Sequence, residues 1–330
     1  MVDEDSYPLT IYDKISNYHS DQKYGKSPTK RSITELLELG IINLDKPANP
    51  TSHEVTAWVK QILGINKAGH GGTLDPAVTG CLPIALGRAT RALQVLLPAG
   101  KEYICIMKLH SPVSQNKLLS VLETFRGKIY QTPPLRSNVK RRLRVRKIYA
   151  LELCEYDNSH RALIRTKCEA GTYIRKLCND IGLVLGIGAH MQELRRIKTG
   201  PFTEETCVTL QELREAWYYY ENEHDESYIR SIIQPIENLC IFMPRIYIRD
   251  SAVDAICHGA ALTLPGVLRV SSGIVNKKLI AIFTLKEELV AFARSSMSTK
   301  KILKHTNGIC ARPESVFMEK KTYPSSWQSP

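Results

Sequence analysis

The chain has 330 residues and a formal net charge of +12 at pH 7, from 45 Lys and Arg against 33 Asp and Glu. Hydrophobic residues make up 43% and charged residues 24%, which is typical of a globular protein with a substantial core. No apolar run is long enough to span a bilayer and no signal peptide is recognisable, so neither a membrane nor a secreted protein is expected. The positive charge favours a polyanionic partner, with nucleic acid ahead of an anionic membrane surface.

The patterns along the chain predict three parts. Residues 1–31 are polar and predict an extended arm. Residues 32–240 mix strand and helix patterns and include a T-x-x-E capping box at Thr51 and Glu54 that predicts a helix ending at Gly64. The other predicted elements there are strands at 103–109, 151–156 and 162–168, helices at 114–126, 175–185 and 209–219, and an acidic exposed loop at 221–227. Residues 241–330 alternate short apolar runs with Gly and Pro, as in a small β-barrel.

The cysteines form no CxxC pair, so a zinc ribbon is not expected. Nine scattered cysteines are typical of reduced thiols in a reducing compartment. We therefore predict that they have structural roles only.

One stretch, GHGGTLDPAVTG at 69–80, surrounds the single carboxylate of Asp75 with four glycines. It lacks the GK[ST] ending or GxGxxG pattern of a phosphate cradle, and no second acid lies nearby in sequence for a metal or glycosidase site. Two interpretations remain open on spacing alone. Asp75 is either a lone nucleophile or base on a tight loop, or part of an ordinary Asp-Pro turn.

A second stretch, residues 126–147, holds nine basic residues and no acid. Pro133 and Pro134 within it favour an extended loop. Because so many uncompensated positive charges repel one another, contact with RNA phosphates is favoured over a merely solvated face. We predict that Lys140, Arg141, Arg142 and Arg144 bind RNA.

Five ordered blocks resemble the TruB-type pseudouridine synthases. They are LDKPANPTSHEV at 44–55, GHGGTLDPAVTGCLPIALGRATR at 69–91, KEYICIMKL at 101–109, CEAGTYIRKL at 168–177 and GAHMQELRRIKTGPF at 188–202. The first block lacks the family's usual glycine and reads Ala48-Asn49-Pro50 instead. The resemblance implies an α+β fold, in which a mixed, mainly antiparallel sheet flanked by helices is joined to a small all-β PUA barrel. It also implies a reaction that isomerises uridine to pseudouridine without a cofactor or metal.

The resemblance assigns roles to five residues. Asp75 is the catalytic carboxylate, Arg175 holds it ionised and oriented, and Tyr103 is the active-site tyrosine. His70 and Leu194 contact the substrate base. The flipped uridine would lie among these side chains, since a stacked base cannot be reached inside a helix.

The segment HGAALTLPGVLRVSSGI at 258–274 resembles the PUA domain of the dyskerin-type, H/ACA guide-RNA-dependent branch. This implies RNA contacts at His258, Gly259, Pro265 and Gly266. It implies as partners an H/ACA guide RNA, an rRNA or tRNA substrate and small partner proteins, including a kink-turn-binding ribosomal-type protein, with no membrane partner. The ending YPSSW at 323–327 resembles the archaeal version, for which we expect a cytoplasmic protein, or a nucleolar one in a eukaryote.

Two alternatives remain beside a guide-dependent synthase. One is a stand-alone tRNA pseudouridine synthase of the TruB kind, and the other is a non-catalytic RNA-binding scaffold with the same fold. The intact set of His70, Asp75, Tyr103 and Arg175 argues against the scaffold.

Overall fold

The computed structural model describes residues 8–133 and 140–325. The strands up to residue 240 are Ile11–Asp13 (β1), Gly40–Lys46 (β2), Ala68–His70 (β3), Thr79–Leu86 (β4), Lys101–Leu109 (β5), Gly127–Gln131 (β6), Arg144–Tyr156 (β7), Arg161–Cys168 (β8), Ala189–Thr199 (β9), Phe202–Thr203 (β10) and Gln234–Pro235 (β11). The helices there are Ile33–Leu39 (α1), Ser52–Ile62 (α2), Leu93–Leu96 (α3), Gln115–Thr124 (α4), Ile174–Leu185 (α5), Leu210–Glu223 (α6) and Ser227–Ile232 (α7).

The rest of the described chain forms further strands and two helices. They are Arg245–Ile248 (β12), Asp250–Cys257 (α8), Leu262–Thr263 (β13), Val267–Ser271 (β14), Leu279–Phe283 (β15), Leu289–Ser295 (β16), Thr299–Lys304 (α9) and Ile309–Val316 (β17). Among the described helices, none combines the length and the apolar character that a membrane span requires.

The larger sheet has ten strands in the order β11-β2-β4-β9-β5-β8-β7-β6, with β3 beside β4 and β10 beside β9. Its ladders are antiparallel except where β4 runs parallel to β9. Gly80 lies at this parallel contact with φ of +98°, and a Cβ there would meet the Arg196 carbonyl oxygen at 2.2 Å. Only glycine therefore lets the strand that follows Asp75 approach β9. The mixed, mainly antiparallel sheet flanked by helices is confirmed.

The predicted helices and strands form, with some shifted ends. Thr51 and Glu54 make a reciprocal capping box at the start of α2, and Gly64 follows that helix with φ of +63°. The prediction of a loop over 221–227 is wrong in part, because α6 continues through Glu223. Its buried residues Ala216 and Trp217 pack into the core, which supports the last turns of this helix.

Two apolar clusters hold the helices on this sheet. One joins α1, α2, α6 and α7 to β2 and β4, and the other joins α4 and α5 to β5, β7 and β8. Tyr103 of β5 and Leu194 of β9 pack against both clusters. These two predicted site residues therefore lie where the two cores meet.

The C-terminal sheet has seven strands in the order β1-β14-β12-β15-β16-β17-β13, accompanied by α8 and α9. The strand β1 of the N-terminal arm pairs antiparallel with β14. Further along the arm, Ser20 donates to the Asp250 carboxylate at 2.9 Å and Lys14 donates to the Ile302 carbonyl at 2.7 Å. The arm is thus fixed to the C-terminal domain by backbone and side-chain hydrogen bonds.

A third apolar cluster joins the two sheets. Phe292 and Phe317 of the C-terminal domain stack edge-to-face at 4.9 Å and pack with Leu39, Ala85 and Leu96, which belong to the larger sheet and its helices. Complete burial of each Phe contributes about 1.5–3 kcal/mol. The cluster therefore holds the C-terminal domain at a fixed place relative to the larger sheet.

Candidate active site

The loop that carries Asp75 connects β3 to β4 and is anchored on both sides of that residue. Ser52, which is fully buried, accepts the N–H of Leu74 at 2.9 Å and donates to its carbonyl at 3.1 Å. The Asn49 N–H donates to the Pro76 carbonyl at 2.9 Å. Because its neighbours are tied to the protein, Asp75 projects from a fixed backbone while its own side chain stays 56% exposed.

Lys46, the last residue of β2, also stabilises the loop that carries Asp75. It is 0% exposed, and its ammonium donates to the carbonyls of Pro47, Pro76 and Val78 at 2.9 Å each. Burial lowers the pKa of Lys46, and the negative charge of Asp75 opposes that shift. This buried cation therefore fixes the loop and is close enough to sense the carboxylate.

Arg175 reaches Asp75 from the first turn of α5. Its guanidinium makes an ion pair and a hydrogen bond with the Asp75 carboxylate, and its side chain is 54% exposed. The two residues are 100 positions apart in sequence and are brought together only by the fold. The pair is open to solvent, so an incoming nucleotide can reach the carboxylate while the arginine holds it in place.

Tyr103 and Leu194 lie beside this pair on adjacent strands. In the β5–β9 ladder Tyr103 faces Arg196, and Leu194 faces Cys105 at the next position on the same face. Burial raises the pKa of Tyr103, with the charge of Asp75 adding to the rise and the neighbouring Arg196 opposing it. Tyr103 therefore presents a neutral phenol near Asp75.

Arg196 is almost fully buried, at 1% exposed, beneath the site. Its Nε donates to the Cys81 carbonyl at 2.8 Å, and its Nη2 donates to the Gly72 carbonyl at 3.0 Å. It thus ties the start of the glycine-rich loop to strand β4 and stands next to Tyr103.

His70 ends β3, just before the loop. Its ring meets His53 edge-to-face at 5.0 Å, and its Nδ1 is buried with no hydrogen-bond partner in the part of the chain that is described. Burial lowers the pKa of His70, and the charges of His53 and Arg196 act in the same direction. A neutral imidazole with an unused ring nitrogen suits contact with an uncharged nucleobase.

Three further residues support the site although no catalytic role is predicted for them: Lys46, Ser52 and Arg196. Lys46 and Ser52 occur in the block at 44–55 and Arg196 in the block at 188–202, so the signal was present. Period-two alternation along β9 distinguishes Arg196, which points into the protein, from its neighbour Arg195, which pairs with Asp45 and is 35% exposed. Within residues 8–133 and 140–325, no three His, Cys, Asp or Glu side chains are grouped to hold a metal ion.

The predicted basic RNA-binding residues lie at the end of the β6–β7 hairpin where β7 begins. Lys140, Arg141 and Arg142 are exposed, whereas Arg144 is half-buried at the start of β7. Pro134 and the residues up to 139 lie outside the described part of the chain. The hairpin ends close to the site, because Gln131 of β6 bonds to the backbone of Tyr173, two residues before Arg175.

The predicted RNA contacts of the C-terminal domain occur in two turns. His258 and Gly259 are exposed at the end of α8, where Gly259 has φ of +88°. Pro265 is exposed, and Gly266 is half-buried against Ala252 in the short 3₁₀ turn before β14. These assignments stay predictions.

Four family models match the chain in order. They are the DKCLD (NUC011) domain at residues 10–56, the TruB family pseudouridylate synthase N-terminal domain at 60–174, the tRNA pseudouridylate synthase B C-terminal domain at 175–240 and the PUA domain at 244–317. Together these matches cover most of the N-terminal arm, the larger sheet with its helices, and the C-terminal domain.

Relatives and solved structures match over nearly the whole length. A protein of Methanosarcina barkeri named "Probable tRNA pseudouridine synthase B" is 54% identical over 308 residues, which are 93% of this chain and 91% of that protein. A protein of Pyrococcus abyssi with the same name is 52% identical over 95% of this chain and 94% of its own.

Two solved structures are similar in fold and sequence. A chain in "Structure of H/ACA RNP bound to a substrate RNA containing 2'-deoxyuridine" has a TM-score of 0.92 and 46% identity over 97% of this chain and 98% of that chain. A chain in "Crystal Structure of a Cbf5-Nop10-Gar1 Complex" has a TM-score of 0.91 and 49% identity over 96% of each chain. The chain belongs to the TruB family of pseudouridine synthases, in its dyskerin-type branch with a C-terminal PUA domain.

Proposed function

We propose that this chain is the catalytic subunit of an H/ACA-type ribonucleoprotein that converts uridine to pseudouridine at positions chosen by a guide RNA. The observation that carries the proposal is the exposed Asp75–Arg175 pair on an anchored loop, in a chain that matches an H/ACA ribonucleoprotein chain over 97% of its length. The net charge of +12 suits a protein that holds RNA.

The proposed reaction is a rearrangement within one nucleotide. The bond between N1 of uracil and C1′ of ribose breaks, a bond from C5 to C1′ forms, and the hydrogen on C5 is replaced while N1 gains one. No electron leaves or enters the nucleotide, so the atoms balance without an oxidant. Asp75 acts at the ribose or base as nucleophile, or as the base that removes a proton.

The surrounding side chains then have defined tasks. Arg175 orients the Asp75 carboxylate through their ion pair and hydrogen bond. Tyr103, His70 and Leu194 enclose the flipped uracil, whose extrusion from a stacked helix costs a few kcal/mol. The phenol of Tyr103 takes part in the proton transfer at C5, since it faces Arg196 in the β5–β9 ladder and is close enough for the charge of Asp75 to raise its pKa.

The expected partners follow from the same likeness. The matched chains occur with a substrate RNA in one structure and in a Cbf5-Nop10-Gar1 complex in the other. We extend this to a guide RNA and small partner proteins for the present chain, and to a kink-turn-binding ribosomal-type protein as the finer part of the proposal. Cytoplasmic placement is likewise part of the proposal.

A second candidate is guide-independent modification of tRNA. It is favoured by the name "Probable tRNA pseudouridine synthase B" of relatives that are 54% and 52% identical to this chain over the aligned residues. The same catalytic site would serve both activities, so the two candidates differ only in how the uridine is presented.

Tritium release from RNA labelled at C5 of uridine tests both candidates. The reaction is run with guide RNA plus partner proteins, with partner proteins alone, and with unmodified tRNA alone. Release that needs the guide supports the first candidate, and release from tRNA alone supports the second. No release under any condition, from protein shown to be folded and bound to RNA, would overturn both.

Deleting residues 241–330 is a poor test of the C-terminal domain. It would expose the catalytic-domain side of the cluster around Phe292 and Phe317 and leave β1 without its partner strand. A single substitution at an exposed turn, such as Pro265→Glu, is better, because it leaves this cluster and β1 in place, so the expected loss of guide affinity is not confused with unfolding.

A further inference from the structure

Gln131 makes an unusual contact for a side chain at the end of a hairpin strand. It is the last residue of β6 and is 2% exposed. Its Oε1 accepts the backbone N–H of Tyr173 at 3.0 Å, and its Nε2 donates to the backbone carbonyl of Tyr173 at 3.1 Å. One buried amide therefore satisfies both backbone groups of a single residue, as a neighbouring strand would.

Tyr173 is the N-cap of the helix that carries the catalytic arginine. Its own side chain makes no capping hydrogen bond, and its carbonyl accepts the first helical bond from Leu177 at 3.0 Å. Arg175 follows two residues later, in the first turn. An N-cap determines where a helix begins. The hydrogen bonds of Gln131 to Tyr173 therefore also determine the backbone position from which the Arg175 side chain extends.

The partner strand β7 holds the same segment. Arg146 donates from Nε to the Gly171 carbonyl at 3.2 Å. The backbone N–H of Glu169 donates to the Lys147 carbonyl at 2.8 Å, and the Lys147 N–H donates to the Glu169 carboxylate at 3.1 Å. Residues 169–173 are thus bound by both strands of the hairpin, and the exposed basic residues 140–142 lie just before Arg144, the partner of Gln131 in the β6–β7 ladder.

We propose that Gln131 is a positioning residue for catalysis, which fixes Arg175 against Asp75 through the backbone of Tyr173. Its side-chain amide bonds to the backbone of Tyr173 and so acts on Arg175 only through that residue. Hydrogen bonds thus connect β6 and β7, which lie beside the predicted RNA-binding residues 140–142, to the helix that carries Arg175 of the Asp75–Arg175 pair. The proposal rests on the proposed function and adds a residue outside the predicted site.

The test compares Gln131→Ala with the matched control Asn43→Ala. Asn43 is also a buried amide of the same sheet, at 1% exposed, and its Nδ2 donates at 2.8 Å to the Thr203 carbonyl. It holds a segment that does not lead to Arg175. Single-turnover tritium release at saturating RNA, RNA affinity and unfolding in urea are measured for both variants.

We expect Gln131→Ala to slow the single-turnover step by about tenfold or more, because small misplacements of a catalytic group have such effects. RNA affinity should stay within about twofold, and Asn43→Ala should retain the wild-type rate. In an Arg175→Lys background the added loss from Gln131→Ala should shrink, since coupled residues are not additive. A wild-type rate for Gln131→Ala, an equal loss in both backgrounds, or an equal loss for Asn43→Ala would each overturn the proposal.

Backbone amide exchange provides a readout that needs no activity. Gln131→Ala should speed exchange of the Tyr173 amide and the first turn of α5, with no change in the helix α4. If wild-type protein showed no tritium release in any reaction, the proposed function would fail, while this exchange measurement would still test the contact. Unchanged exchange would show that Gln131 does not hold the start of the helix.

Discussion

Replacement of Arg196 by Lys tests whether the buried guanidinium organises the active site. The guanidinium donates in two directions, at 2.8 Å to Cys81 of β4 and at 3.0 Å to Gly72 of the loop. Lysine is shorter and ends in one non-planar ammonium group, so it cannot donate hydrogen bonds to both carbonyls from the same position. One buried carbonyl is then left without a donor, at a cost of about 1–3 kcal/mol in the free energy of unfolding. Arg196→Met, which loses both bonds, should cost about twice as much.

Arg196→Lys should lower the turnover rate as well as the free energy of unfolding, because Arg196 bonds to Gly72 and Gly72 lies at the start of the loop that holds Asp75. Urea denaturation gives the free energy of unfolding, and single-turnover tritium release gives the chemical step. The neighbouring Arg195→Lys is the control, since its pairs with Asp45 and Glu204 are partly exposed and worth less than about 1 kcal/mol. If Arg196→Lys were as stable and as active as Arg195→Lys, the role assigned to the two carbonyl bonds would be refuted.

Four further outcomes are expected. Asp75→Asn should abolish tritium release while RNA affinity in filter binding stays near wild type, and activity within about tenfold of wild type would contradict its role. Arg175→Lys should lower turnover far more than affinity, because Lys lacks the planar fork that pairs a carboxylate; wild-type turnover would place it outside the site. Replacing the three basic residues at 140–142 by Ala should flatten the log–log dependence of RNA affinity on salt by about two to three units, and an unchanged slope would contradict phosphate contact there. Burial lowers the pKa of His70 from 6.5, so the unfolded chain binds a proton more readily than the folded protein, and the free energy of unfolding should fall as pH drops below about 6.5. His70→Gln should weaken this dependence of the unfolding free energy on pH, as measured by urea titrations at pH 5, 6 and 7. An equal pH dependence in the variant would show that His70 is not its source.

Local patterns were sufficient for the elements whose ends carry their own signals. The capping box at Thr51 starts α2 where the sequence predicts, because the reciprocal bonds involve residues only three apart. The structure has a second box of this kind, formed by Thr209 and Glu212, at the start of α6. For the acidic stretch after Tyr220, polarity alone predicts a loop. This stretch continues the helix through Glu223 because Ala216 and Trp217 are held in the core, and polarity carries no information about that packing.

The sequence blocks also identify two residues of the site. The single acid among glycines and the G-T-Y-I-R block named Asp75 and Arg175, and family resemblance supplied their roles. The ion pair between them joins residues 100 positions apart, and no local pattern reports such a contact. It depends on the order of strands in the larger sheet and on where α5 begins.

Only the tertiary structure decided what holds the site in place. Lys46, Ser52 and Arg196 look like ordinary polar residues in the sequence. Their importance comes from their burial and from their hydrogen bonds to backbone groups of the Asp75 loop. The arm's pairing with β14 is equally invisible locally, because β1 satisfies its hydrogen bonds with a strand more than 250 residues away. Charge, turn chemistry and catalytic residue types are properties of short segments, so the sequence determines them; burial and hydrogen-bond partners depend on distant segments meeting, so only the fold determines those.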